Sequence, residues 1–150
     1  MRSFVFAPRS LARMGVGAFL LGALVMGCSA SRGPLPPAAS SNPLPDCPDS
    51  PNCERISTDY AVPANRLFAR VQTALRDLGP ARMQLRPDSM RAAAVYRVAW
   101  VFKDDVDVAV EPTADGSRLH VRSASRVGHS DLGVNRRRVQ RLLAAVDATD

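Results

Sequence analysis

Residues 47–150 predict an α+β domain, a small antiparallel β-sheet of three to four strands with two helices packed on one face. Three observations lead there. Apolar residues recur at helical spacing in two places, four segments between them alternate apolar with polar, and the order is helix, strands, helix. An antiparallel sheet built this way has one apolar face, which the two helices must cover.

The first helix follows Pro63-Ala64-Asn65, where Leu67, Phe68, Val71, Leu75 and Leu78 share one face and Gly79-Pro80 supplies the stop. Residues 81–87, ARMQLRP, place Met83 and Leu85 against Arg82, Gln84 and Arg86, a short strand. From Arg91 to Trp100 the apolar parity is Ala92, Ala94, Tyr96, Val98 and Trp100, which predicts a half-buried strand. Val106, Val108 and Val110 then alternate with Asp105, Asp107 and Glu111. After the turn at Asp115-Gly116, Leu119 and Val121 alternate with Arg118, His120 and Arg122, which makes a β-hairpin. Val139, Leu142, Leu143 and Val146 close the domain as an amphipathic helix.

The N-terminal residues differ in kind. Arg2, Arg9 and Arg13 precede an uncharged apolar run from Gly15 to Gly27, too short for the roughly 20 residues of a spanning helix. Residues 1–27 therefore predict a signal peptide. Leu24-Val25-Met26-Gly27-Cys28 resembles the lipobox of bacterial lipoproteins, which implies acylation of Cys28, and Ser29 after it resembles an outer-membrane address. An ordinary secretory leader cleaved near Gly27 or Ala30 is the alternative. Residues 28–46 then form a lipidated, proline-rich tether with little that can fill a core. The expected location is outside the cytoplasm as a membrane-anchored lipoprotein, on the periplasmic face of the outer membrane if the cell is Gram-negative.

Setting the leader aside lowers the formal net charge from +6 to +3. So modest a charge, together with export, argues against nucleic-acid binding. Cys47 and Cys53 remain, separated by the turn formers Pro48-Asp49-Ser50-Pro51-Asn52, and an oxidising compartment favours a disulfide between them. A free redox pair and a metal site are the alternatives, although five intervening residues do not match zinc-knuckle spacing. The chain contains no glycine-rich phosphate loop, H-E-x-x-H helix or G-x-S-x-G elbow. No cofactor is expected.

Two stretches are more specific than any propensity: CPDSPNC at 47–53, and FKDDVDVAVEPTADGSRLHVRSASRVGHSDLGVNRRRVQRLL at 102–143. Together they resemble the family known as domain of unknown function 1499, over roughly residues 47–147. The resemblance implies a compact exported or membrane-associated domain and supplies no activity or catalytic residues.

Within the second stretch, hairpin parity sets Asp105, Asp107 and Glu111 on the same face as Arg118 and Arg122. If numbers summing to 229 are paired, Asp107 faces Arg122 and Glu111 faces Arg118, giving cross-strand ion pairs. A sharper alternative gathers Arg122, Ser123, Ser125, Arg126, Asn135 and Arg136 at the start of the last helix as an anion pocket. Asp131 or Ser130 is expected to cap the turn before that helix, and Asn135 the helix itself. His129-Ser130-Asp131 are adjacent in sequence and so unsuited to a catalytic triad. The expected function is an envelope binding or structural lipoprotein, with an anionic small molecule, lipid head group or partner protein as ligand. A hydrolase using the Asp/Arg cluster is the alternative, favoured if Asp104 or Asp105 stands unpaired in a pocket.

Overall fold

The computed structural model describes residues 42–149; the leader, Cys28 and residues 29–41 of the tether lie outside the described residues. Five strands, rather than three or four, form one antiparallel sheet in the order β1-β5-β4-β3-β2. Along the chain these are β1 (Cys53–Tyr60), α1 (Ala64–Asp77), β2 (Arg82–Arg86), β3 (Arg91–Val98), β4 (Phe102–Thr113), β5 (Gly116–Ser125) and α2 (Val134–Asp147).

The uncounted strand is β1, CERISTDY, which carries no run of alternating apolar residues. Ile56 faces the core, while Ser57 on the other face is buried by hydrogen bonds to Asn42 and His120. A strand covered by polar contacts on one face lacks the period-two hydrophobic signal. Its register is set by pairing along β5, with Ile56 opposite Val121 and Asp59 opposite Arg118.

Both helices lie on one face of the sheet. Leu67, Phe68, Val71 and Leu75 of α1 and Val139, Leu142 and Val146 of α2 meet Ile56, Ala92, Ala94, Val106, Val108, Leu119 and Val121 in a single core. Gly116 opens β5 at φ 151°, where a Cβ would collide with the Tyr60 backbone carbonyl, so only glycine lets the hairpin end pass beneath β1.

Two boundaries differ from expectation. Trp100 does not continue the buried parity of β3: Ala99 and Trp100 form the β3–β4 turn, and Trp100 is 95% exposed. The tether does not run free up to Cys47, since Asn42 and Leu44 are buried. Arg55 holds this segment through the carbonyls of Asn42 and Leu44 and the carboxylate of Asp46. Cys47 and Cys53 are joined by a disulfide immediately beyond it.

Candidate functional site

The distinctive motif divides between the two faces of the sheet, because successive strand residues point to opposite sides. Ser123 and Ser125 turn towards α2; Arg122 points to the other face. Beneath α2 lies a buried polar cluster. The Arg138 guanidinium, from the second turn of α2, reaches the Asp104 carboxylate at 2.7 Å, with side-chain exposures of 6% and 2%. It also donates to Ser123 Oγ at 3.1 Å and Asn135 Oδ1 at 2.8 Å, and lies 5.0 Å above the Tyr96 ring.

Asn135 connects this cluster to the disulfide loop. Its amide donates to the carbonyl of Asn52, to Ser125 Oγ and to Asp131, and its oxygen accepts from Ser123. Asn52 in turn donates to the Gly128 carbonyl. CPDSPNC and RSASRVGHSDLGVNRRRV, far apart in sequence, are thus fastened to one another by buried side-chain amides.

Asn135 is inside α2 and does not cap it. Asp131 does so, accepting from the backbone N–H groups of Gly133 and Asn135 at 2.9 and 2.6 Å. Partial burial alone would raise its carboxyl, but these hydrogen bonds outweigh it and hold the group below the ordinary carboxylate range. His129 is exposed.

On the opposite face the register sets Asp107 opposite Arg122 and Glu111 opposite Arg118. Arg122 lies 3.9 Å from Asp107. Arg118 instead forks onto Asp59 of β1 at 2.6 and 2.8 Å, since β5 is a central strand with a neighbour on each side. Glu111 takes the buried His120, 3.3 Å away. Burial lowers the His120 pKa and Glu111 only partly restores it, which keeps the ring neutral at pH 7.

Arg126 grips Asp105 through Nε and Nη2, at 2.9 and 2.7 Å. Arg136 is exposed on α2. The six residues grouped from sequence therefore do not converge: Ser123, Ser125 and Asn135 are joined inside, while Arg122 and Arg126 lie outside and are matched to carboxylates. The signal was present in the sequence, because the period of two that sets Asp107 opposite Arg122 also separates Arg122 from Ser123.

A different set of arginines meets on the outer face. One row across the sheet runs Gln84, Ala93, Asp107, Arg122. The small Ala93 leaves two adjoining hollows of about 180 and about 220 Å³, which share Ala93 and Asp107. Arg86 and Arg91 line the first beside Leu44 and Pro45; Arg82 and Arg122 line the second. Among the described residues, the side chains of Arg82 and Arg91 have no hydrogen-bonded or ion-paired partner, Arg86 acts on Asp107 through its charge without a salt bridge, and Arg122 Nε is buried without a hydrogen bond. Burial raises the Asp107 carboxyl above its ordinary value, Arg122 and Arg86 drawing it partly back and Asp105 adding to the rise.

A sequence model of the family described as protein of unknown function (DUF1499) matches residues 43–146. No curated protein matches the chain. Among solved structures it is similar to the di-domain ARO/CYC StfQ from the steffimycin biosynthetic pathway, with 14% identity, a TM-score of 0.52, and coverage of 63% of this chain and 44% of that one. It is also similar to protein CV1439 from Chromobacterium violaceum, with 12% identity, a TM-score of 0.49, and coverage of 66% and 97%. At such identities the likeness concerns the fold alone.

Proposed function

Since this chain belongs to the DUF1499 family of proteins of unknown function, we propose a role from its own geometry: an envelope lipoprotein whose domain binds a small anionic group on the open face of its sheet. The observation that carries this is the ring of Arg82, Arg86, Arg91 and Arg122 around Ala93, in which Arg82 and Arg91 have no carboxylate partner among the described residues and Arg86 shares Asp107 with Arg122. Guanidinium groups left free beside a hollow suit phosphate, sulfate or carboxylate. The hollows are smaller than the roughly 300 Å³ at which pockets for drug-sized ligands begin, so they fit a head group rather than a whole metabolite. Binding is favoured over hydrolysis because Asp104 is engaged by Arg138 and Asp105 by Arg126, leaving neither acid free as a general base.

Sulfate is a suitable probe because its charge is constant between pH 5 and 7. At ten times its Kd it should stabilise the chain by about 1.4 kcal/mol. The Arg86→Gln, Arg91→Gln double variant should lose that increment while keeping the general salting effect of sulfate. An equal rise in melting temperature for both proteins would refute the site. As pH falls from neutral towards the carboxylate range, the raised Asp107 carboxyl protonates before an ordinary aspartate and a negative charge leaves the groove. Sulfate affinity should therefore increase with falling pH, and the increase should be smaller in Asp107→Asn.

Anchoring through Cys28 belongs to the same reading, supported by the apolar run that ends at that cysteine. A fatty-acid analogue fed to expressing cells should label the wild type and spare Cys28→Ser. Equal labelling of both proteins would exclude it.

A further inference from the structure

One end of the domain displays bulky apolar side chains that the core does not use. Trp100 is 95% exposed, Val101 74% and Phe102 48% on the β3–β4 turn, and Val127 is 58% and Leu132 85% exposed on the loop before α2. Phe102 and Val127 line one hollow with Asp131 and Val134, which flank Leu132, so the two loops form a single patch. Isolated exposed apolar residues are ordinary, but a contiguous patch marks an interaction surface. Ala99, Trp100 and Leu132 adopt left-handed backbone, at φ 46°, 68° and 52°. Side chains other than glycine resist that conformation, so these turns hold their apolar residues outward at a conformational cost.

The charge around the patch is one-sided. Arg97 stands directly opposite Lys103 at the base of the turn, and both are exposed. Like charges facing across two strands repel unless an anion lies between them. The nearby acids are committed elsewhere: Asp104 to Arg138, Asp105 to Arg126, and Asp131 to the backbone of α2. A tip combining exposed tryptophan, valine, phenylalanine and leucine with unpaired cations complements the interface of a bilayer carrying anionic head groups, where aromatic rings settle at head-group depth and basic residues meet lipid phosphates.

We propose that this end of the domain, comprising the Ala99–Phe102 turn with Val127 and Leu132, inserts shallowly into an anionic membrane surface. The contact is separate from the arginine groove and from any lipid on Cys28, and it would orient the domain on the membrane as well as retain it there.

Trp100 is the only tryptophan in the chain, so intrinsic fluorescence reports on the tip itself rather than on an anchor. The full chain is mixed with vesicles of phosphatidylcholine alone, or of phosphatidylcholine with 30% phosphatidylglycerol as the composition used. The expected result is a blue shift of emission, and quenching by lipids brominated near the head group, on the anionic vesicles only. Arg97→Gln with Lys103→Gln should weaken the vesicle affinity read from that shift by roughly 30-fold, about 1 kcal/mol for each cation. The exposed positions of both residues leave the fold intact, which far-ultraviolet circular dichroism would verify. Three results would overturn the proposal: no shift on anionic vesicles, an equal shift on neutral ones, or emission already blue in the chain without vesicles. The last would mean that another segment of the chain or a second copy covers the tip, and a protein partner would then have to displace it.

Discussion

Asp104→Ala is expected to destabilise the domain by about 3–5 kcal/mol, the cost of leaving one member of a buried ion pair alone. Arg138 would keep its hydrogen bonds to Ser123 and Asn135 and its position over Tyr96, but its charge would have no counter-ion at an exposure of 5%. Against the about 5–15 kcal/mol by which native domains are ordinarily stable, that is a large fraction. Urea unfolding measures it directly. Removing the charge together with its partner should cost far less, because Asp104→Leu with Arg138→Met replaces both ions by apolar volume and keeps a side chain over Tyr96. A loss below about 1 kcal/mol in Asp104→Ala would show that water reaches the pair and that it does not help to lock the fold.

Asn135→Ala should cost about 2–3 kcal/mol, since each buried group left without a partner carries a penalty of about 1–3 kcal/mol. The Asn52 carbonyl loses a side-chain donor, Ser123 loses its acceptor, and Arg138 loses one of its three anchors. Asn135→Asp is the more informative change. It preserves the oxygen that faces Arg138 and Ser123 but removes every amide donor, and it sets a second carboxylate beside Asp131. If the donors matter, aspartate at neutral pH is no better than alanine. Loss of the Asn135 to Asn52 bond should also speed amide exchange at Ser125, whose N–H bonds the same Asn52 carbonyl. Unchanged exchange there would mean that the disulfide loop is held independently of α2.

These two residues show where sequence reasoning stopped. Arg138 lies three residues from Asn135 and four from Leu142, on the flank of the apolar face of α2, so its helical position was visible in the spacing. Its burial was not, because an arginine beside an apolar stripe ordinarily extends its charge into water. What keeps the charge inside is Asp104, 34 residues earlier and on the core side of β4, together with the Tyr96 ring from β3. Asp104 is therefore the counter-ion of a structural pair and not a free acid for chemistry. The arginine groove was equally hidden, since Arg82, Arg86 and Arg91 read as the solvated parity of two short strands. They become neighbours of Asp107 and Arg122 only when β2 and β3 pair with β4.

The sequence by itself determined the apolar faces of α1 and α2, and the β4–β5 hairpin with Asp107 and Arg122 on one face of it, while the pairing of those two was a condition that the assembled sheet met. Local periodicity settles these, because a period of 3.6 or 2 is written in consecutive residues and a shift by one would turn the core outward. Tertiary structure decided what depends on partners distant in the chain. It added β1 at the edge of β5, where polar contacts bury one face and hydrophobic alternation is absent. It gave Arg118 to Asp59 rather than Glu111, because a central strand has two neighbours to choose between. It also ended β3 early, so that Trp100 projects from a turn instead of filling the core. Strand parity specifies the face to which a side chain points, and only the assembled sheet specifies what is waiting there.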